Sequence, residues 1–552
     1  GGRCALVCAQ AADTLARMLT RAASYEAVVE AFRWSVPHRY NIGVDVCDRQ
    51  DESALALIHL DDAGRTRHYR FGDLGRQASR LSNVLAGHGL VRGDRVAILL
   101  PQSPETPVCH IAVYRAGMIA VPLFTLFGPD ALAYRLRKSG ARALITSAGN
   151  LEKIAEIREL LPDLELVLSI DGPAEDAIGF YEALAAADDR FAPVETLAED
   201  PAMIIFTSGT TGPPKGALLP HRTLLGHLPG VEFPHAFFPQ SDDLFWTPAD
   251  WAWIGGILDV LLPSLHHGKP VLAHRAAKFD PEQAFSLIDR FRVRNVFMPP
   301  TALKLMRQVD NPRSRFDCAL RSIGSGGETL GSELLDWGRE TFGATINEFY
   351  GQTECNLVVG NCAEVMPVRP GSMGRPVPGH TVGIVDGDGT DLPPGTVGNI
   401  AVKRPDPVML LRYWDDDQAT EEKFAGDWLI TGDTGRMDED GYLWFVGRAD
   451  DVISSAGYRI GPGEVEDSLL KHPAVGMAAV VGVPDPVRGQ AVKAFIVPAP
   501  GTDPSPALAA EIQGFVKRRL AAHEYPRHVE FIDALPMTAT GKIKRNELRD
   551  KK

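Results

Sequence analysis

Thr207-Ser208-Gly209-Thr210-Thr211-Gly212-Pro213-Pro214-Lys215-Gly216 sets small hydroxyl residues, three glycines and one lysine within ten positions. Glycines let backbone amides come close to an anion. Hydroxyls and the lysine add donors, so the loop suits polyphosphate. The apolar run Ala202-Met203-Ile204-Ile205-Phe206 before it reads as a buried strand. A strand opening into such a loop is a common nucleotide-phosphate cradle. The spacing excludes a Walker A loop, because GxxxxGK[ST] does not fit. Taken alone, the stretch has a lesser reading as a Gly/Thr-rich surface turn.

Outward from this loop, strands alternate with helices. Val96–Leu100, Ile119–Pro122, Ala141–Thr146 and Leu164–Ile170 read as strands, and Pro107–Met118 as a helix. This order predicts largely parallel sheets covered by helices. The first forty residues are expected to be helical, from Leu15, Met18, Leu19, Val28, Val29 and Phe32. From about Gly371 to Leu443, Gly, Pro and Asp punctuate short alternating strands such as Gly398–Val402, as in a smaller β-rich subdomain. After Gly447-Arg448-Ala449-Asp450-Asp451 comes a piece of mixed texture. Its helices are expected at Pro462–Leu470 and Ala507–Ala522, and its strands at Met477–Val483, Ala491–Val497 and His528–Ile532. The fold class is therefore α/β. A large N-terminal domain (1–449, with the β-rich part about 371–445) precedes a small α+β domain (450–552).

At 552 residues the chain exceeds one ordinary domain. Hydrophobic content of 45% and charged content of 23% are globular values. Lys+Arg 57 against Asp+Glu 71 leaves −14, which argues against a nucleic-acid surface and leaves anionic substrates to local positive sites. The seven cysteines include no CxxC pair, which suits free thiols in a reducing compartment. No apolar run is long enough to span a membrane. The apolar patch Ala5-Leu6-Val7-Cys8 is too weak for a signal peptide, and the missing Met points to a trimmed start. A soluble, cytoplasmic protein is expected.

Further segments point at the same ligand. In Tyr350-Gly351-Gln352-Thr353-Glu354, a glutamate beside hydroxyl and amide donors suits Mg²⁺. A helix N-terminus, with Thr353 and Glu354 bonding its free amides, is the other reading. Ile430-Thr431-Gly432-Asp433 ends a strand, and its aspartate could accept from both ribose hydroxyls or serve a turn. Arg448 suits ribose or phosphate oxygens, or an ion pair with Asp450 or Asp451. Lys542, on the polar loop Thr538-Ala539-Thr540-Gly541-Lys542, could swing into a distant site, or belong to a solvated basic tail.

The phosphate loop, YGQTE, TGD, GRADD and TGK, in that order, closely resemble the AMP-forming acyl-CoA synthetases of the adenylate-forming superfamily. The tract Asp250–Gly256 with Leu261–Gly268 looks most like the medium-chain branch. The resemblance covers nearly the whole chain and implies a ligase of lipid or fatty-acid metabolism. It would use ATP, Mg²⁺ and coenzyme A to turn a carboxylic acid into acyl-AMP and then into a thioester. It implies that Thr207, Ser208, Gly209, Thr210, Thr211, Gly212 and Lys215 hold phosphates. Gly327, Glu328, Thr329, Glu348, Phe349, Tyr350 and Gly351 would wall the adenine, with Gln352 and Thr353 beside the nucleotide. Asp433 and Arg448 would bind ribose, Glu354 would place Mg²⁺, and Lys542 would bridge carboxylate and α-phosphate. The small domain would rotate at Asp450, withdrawing Lys542 and bringing in Ala456, Gly457, Tyr458 and Arg459. Ala456 stands where relatives often have serine. Arg488 and Arg527 match positions that meet coenzyme A. Acetate-specialised relatives carry tryptophan where Gly351 stands, so glycine would leave room for a longer acid, lined by Trp246, Trp251, Trp253 and Phe297. Asp250 lies where an amino-acid substrate could be gripped, but its tract is that of the acyl-CoA synthetases. The expected partner is a small carboxylic acid, not nucleic acid, and monomer and homodimer both stay open. Two rivals remain: transfer to a carrier protein or another acceptor, and a catalytically silent scaffold of the same fold.

Overall fold

The computed structural model describes residues 17–207, 213–275, 278–328, 330–448, 451, 453–455, 458–486, 489–519, 525–538 and 542–549. Two large sheets organise the first part. In one, the strands Ile119–Pro122, Arg95–Leu99, Ala143–Thr146 and Leu166–Ser169 run parallel, as does the short Ile178–Gly179 beyond them. These strands read as near-continuous apolar runs because helices cover both faces. On the other side they join Pro201–Thr207, which pairs antiparallel with Lys215–Pro220. The second sheet carries Leu55–Leu60, Val271–His274, Phe245–Trp246, Asn295–Phe297, Ser322–Ser325 and Ile346–Gln352 in parallel. Cys355–Gly360 then turns back antiparallel to Ile346–Gln352.

Between the sheets sits the main core. The helix Glu105–Arg115 is buried along its whole length, with no exposed face. A helix covered all round belongs inside a large domain. The helix Pro281–Phe291 lies nearer the surface. Pro281 sits at its first position, the Asp280 carboxylate accepts from Glu282 N and Gln283 N, and Arg292 in the left-handed region ends it.

The β-rich piece is a separate antiparallel sheet of Val382–Val385, Gly398–Lys403, Trp428–Met437, Phe424–Ala425 and Leu443–Arg448. The last piece pairs Val475–Asp485 with Gly489–Pro498 in a long hairpin, flanked by Ile453–Ser455, Tyr458–Ile460 and His528–Phe531. Helices Pro462–Leu470 and Pro506–Arg519 pack on it, with Val465, Leu469, Ile512 and Val516 in the core. No helix among the described residues is long and apolar enough to cross a membrane.

Three expectations need correction. Among the described residues, helix near the start is confined to Tyr25–Ala31, capped by Ser24, and Leu15 lies outside them. Met18 and Leu19 are not helical, because their amides bond to the buried Glu232 carboxylate at 2.9 and 2.7 Å. The residues Thr353 and Glu354 do not open a helix. They form the turn of the hairpin between Ile346–Gln352 and Cys355–Gly360. Asp433 does not end a strand either. It sits inside Trp428–Met437, where Gly432 takes a φ of +84°.

Candidate active site

The hairpin Ile346–Gln352/Cys355–Gly360 supplies the floor. Its turn residue Glu354 is buried and accepts a hydrogen bond from the Tyr413 hydroxyl. Leu410 N donates to Glu354 O at 3.0 Å, which ties the turn to the segment before Tyr413. Lys215 Nζ lies 5.4 Å from the centre of the Tyr413 ring. Tyr413 thus joins the acid to the lysine of the Gly-rich stretch. Thr207 and Lys215 face each other across the hairpin that this stretch closes, with Thr207 Oγ1 donating to Lys215 O at 3.3 Å. Ser208, Gly209, Thr210, Thr211 and Gly212 lie outside the described residues.

Asp433 is 9% exposed and opposite Arg448 in adjacent strands, with Arg448 Nε 4.0 Å from Oδ1. Arg448 therefore faces Asp433. Tyr350 Oη donates to Asp433 Oδ2 at 2.6 Å. Burial raises the Asp433 pKa, while Tyr350, Arg448 and Lys542 pull it down. Gln352 Nε2 donates to Thr431 O at 3.0 Å, and its Oε1 accepts from Lys423 Nζ at 2.8 Å. One acid, one phenol, one amide and two cations thus meet on the rim of the β-rich sheet.

A second wall is aromatic and glycine-lined. Trp253, Phe297 and Phe349 stand in series, with centroids 5.7 and 5.2 Å apart. Gly327, at φ +92°, lies against Trp253, where an added Cβ would come 3.3 Å from the ring. Glu328 accepts from Thr301 Oγ1 at 2.8 Å, and burial raises its pKa. Glu348 is buried, and burial pushes it up to about 8 against the one amide, Leu330 N, at 3.3 Å. Thr329 lies outside the described residues.

Lys542 belongs to the last piece of the chain yet reaches this cleft. Its Cε is 3.9 Å from where a Cβ on Gly327 would stand. Water reaches the residue from outside, but crowding lowers its pKa, opposed by Asp433, Glu328 and Glu354 and reinforced by Arg448. Its loop is held by Lys542 N to Thr538 Oγ1 at 3.0 Å and Thr538 N to Lys542 O at 2.7 Å. Lys542 thus sits among acids from the large α/β part and from the β-rich piece of the chain.

Other expected residues do not converge. Trp251 is fully buried in the main core, as is Trp246 in the neighbouring one, so of the tryptophans only half-buried Trp253 meets the cleft at Gly327. Asp250 caps its own turn, its Oδ1 accepting from Ala252 N at 2.8 Å, and burial raises it to about 6. Gly351 has a local reason. A Cβ there would lie 2.2 Å from Leu357 N and 2.6 Å from Asn356 Oδ1, so the hairpin bulge itself demands glycine. Arg527 stays in its own domain, bonded to Tyr525 Oη at 3.0 Å. Asp450, Ala456, Gly457 and Arg488 lie outside the described residues, as do the side chains of Tyr458 and Arg459. Tyr413, Lys423 and Thr301 were not anticipated, since none belongs to a short charged or glycine-rich stretch.

The set is one suited to a nucleotide: a phosphate-type hairpin, an aspartate–arginine pair, an aromatic slot, a buried glutamate and a lysine from the last piece of the chain. The described residues hold no cluster of three metal-ligating acids, histidines or cysteines. Glu354 offers one buried carboxylate, which together with substrate oxygens would suit Mg²⁺.

Comparison with known proteins agrees. The family model for AMP-binding enzymes matches residues 45–414, and that for the AMP-binding enzyme C-terminal domain matches 464–542. Acetyl-coenzyme A synthetase of Bacillus subtilis (strain 168) is 36% identical over 93% of this chain and 90% of its own. Mitochondrial acyl-coenzyme A synthetase ACSM4 of Homo sapiens is 37% identical over 96% and 93%. Among solved structures, an anthranilate CoA ligase with anthranoyl-AMP superposes with a TM-score of 0.86 at 31% identity, covering 93% and 97% of the chains. A Brucella canis acyl-CoA synthetase gives 0.75 at 36% identity, covering 96% and 98%.

Proposed function

The chain belongs to the AMP-binding enzyme family and is an AMP-forming acyl-CoA ligase, and on that premise we propose how its residues divide the work. In the first half-reaction the substrate carboxylate attacks the α-phosphorus of ATP, and pyrophosphate leaves. This step needs in-line positioning and charge neutralisation more than a protein nucleophile. Lys542 meets the charge growing between carboxylate and α-phosphate. Lys215 and the hairpin stretch from Thr207 hold the outer phosphates. Asp433 and Arg448 orient the ribose, and Gly327, Glu348 and Phe349 border the adenine. Glu354 would hold Mg²⁺, which supplies positive charge to the phosphates when bound.

In the second half-reaction the coenzyme A thiol attacks the acyl carbon, and AMP leaves with the electrons of the broken C–O bond. The lysine is not needed there. We propose that the domain from 450 onward turns about Asp450, withdrawing Lys542 and offering Ala456 to Arg459 along the pantetheine path, with Arg488 and Arg527 toward the nucleotide end. The acid we propose is short- to medium-chain and aliphatic, with aromatic acids as weaker substrates. Half-buried Trp253, backed by the buried rings of Phe297 and Phe349, supports an apolar acyl slot, and such a slot separates neighbouring chain lengths by only about 1–3 kcal/mol per methylene. The five described cysteines are all free, which supports action in the cytoplasm.

The observation that carries this reading is Lys542 beside Gly327 and among Asp433, Glu328 and Glu354. Lys542→Ala is expected to lose acid-dependent ATP–pyrophosphate exchange by about a hundredfold or more, while still converting supplied acyl-AMP to thioester. Equal loss of both half-reactions would refute the assignment. A panel of C2 to C10 acids and benzoate, followed by AMP release, fixes the substrate. Product formed without coenzyme A but with a carrier protein would favour the other acceptor.

A further inference from the structure

The helix Ser332–Phe342 begins at Gly331, and no side chain of its own segment caps it. Its first amide is bonded all the same. Ser332 N donates to Asp467 Oδ1 at 3.2 Å, and Asp467 lies on Pro462–Leu470, in the domain that carries Lys542. The other carboxylate oxygen, Oδ2, accepts from Lys471 Nζ at 2.8 Å. The approach is close enough to restrict the neighbour. Gly331 has a φ of +84°, and a Cβ there would lie 2.8 Å from Asp467 Oδ1.

An N-cap supplied from another domain exists only in one arrangement of the two. The turn it grips is also the nucleotide wall. Gly327 and Glu328 precede it by a few residues, and Glu348 holds Leu330 N from within the large domain. The turn is thus fastened from one side by its own domain and from the other by the moving one.

We infer that Asp467 is a positioning residue that latches the small domain in the orientation that presents Lys542, by capping the helix Ser332–Phe342 across the domain boundary. The inference rests on the two-orientation reading above. Asp467 touches neither substrate nor reacting atoms. It acts by favouring the first half-reaction's arrangement over the second's, and a carboxylate suits a helix N-terminus by charge as well as by hydrogen bonding.

The test uses the full chain with fluorophores introduced as non-natural residues at the exposed positions 336 and 511, one in each domain. Interdomain distance is read alongside both half-reactions. Asp467→Ala should lower acid-dependent pyrophosphate exchange about fivefold and shift the ATP-bound distance distribution toward the other orientation. Conversion of supplied acyl-AMP should hold or rise. Asp467→Asn should recover most of the exchange, since asparagine caps about as well as aspartate. Ser332→Pro removes the donor from the opposite side and is tolerated at a first helical position. It should reproduce the alanine effect, and the double variant should be no worse than either. Exchange and distances unchanged in Asp467→Ala, or both half-reactions falling together without a distance change, would overturn the latch. A wild type that keeps a single distance through turnover would instead overturn the two-orientation reading beneath it, and the latch with it.

Discussion

At Tyr413 a single phenol serves two charged neighbours. Its hydroxyl bonds the Glu354 carboxylate, and its ring lies under the Lys215 ammonium. Tyr413→Phe keeps the ring and removes the hydrogen bond. It is expected to lower adenylation about tenfold and to raise the Mg²⁺ concentration for half-maximal rate, read by pyrophosphate release across a Mg²⁺ series. Glu348 gives a second prediction. Burial raises its carboxyl to about 8 from an ordinary 4.5, so the folded protein holds a proton that the unfolded chain releases. Its contribution to stability is complete below about 4.5 and declines as pH rises toward 8. The slope is at most about 1.4 kcal/mol per pH unit. Glu348→Gln should flatten the fall in stability across that window, measured by urea unfolding at several pH values. The charged and glycine-rich members of the site were legible in sequence because each lies in a short stretch of unusual composition. Tyr413 was not. Its partners stand 59 residues earlier in Glu354 and further back still in Lys215, and an isolated tyrosine has too many ordinary uses to be singled out.

Elements were legible where pattern and environment agree. The helix Pro462–Leu470 fell where its apolar spacing put it. The parallel strands around Val96 and Ile145 declared themselves as apolar runs, since both faces are covered. The start of the chain misled, because a buried carboxylate, Glu232, claims the amides of Met18 and Leu19. The turn at Thr353 and Glu354 misled differently: capping residues suit a tight hairpin as well as a helix start. Capping at the surface offers a clean control. Asp280→Ala removes the acceptor for Glu282 N and Gln283 N, on a helix that contributes none of the cleft residues named above. It should cost about 1 kcal/mol, seen as a lower Tm, while kcat and KM for the acid stay unchanged.

Across the whole molecule the cleft is assembled from four separate regions: the hairpin sheet, the β-rich sheet, the glycine turn at 327 and the C-terminal loop. No single stretch contains it, and its closure depends on contacts such as that between Asp467 and Ser332. A non-hydrolysable acyl-AMP analogue that bridges these regions should stabilise the folded chain by about 2.7 kcal/mol at a hundred times its Kd. The rise in Tm that reports this should shrink in Lys542→Ala, in which one of the bridging groups is missing. Domain-scale contacts of this kind were the least legible in sequence, since the two residues belong to different units and neither lies in a motif.

The crowding at Gly351 bears on redesign. Any side chain there runs into Leu357 N and the amide of Asn356, whose Nδ2 in turn donates to buried Asp259 at 2.6 Å. A bulky residue introduced alone at 351 would disrupt the strand pairing that positions Glu354 before it could shorten any substrate channel. Substrate range in this scaffold should therefore evolve epistatically. A swap at 351 becomes tolerable only once the backbone at 356–357 has shifted, so libraries that randomise 356 and 259 together with 351 should yield active variants that single-site scans miss.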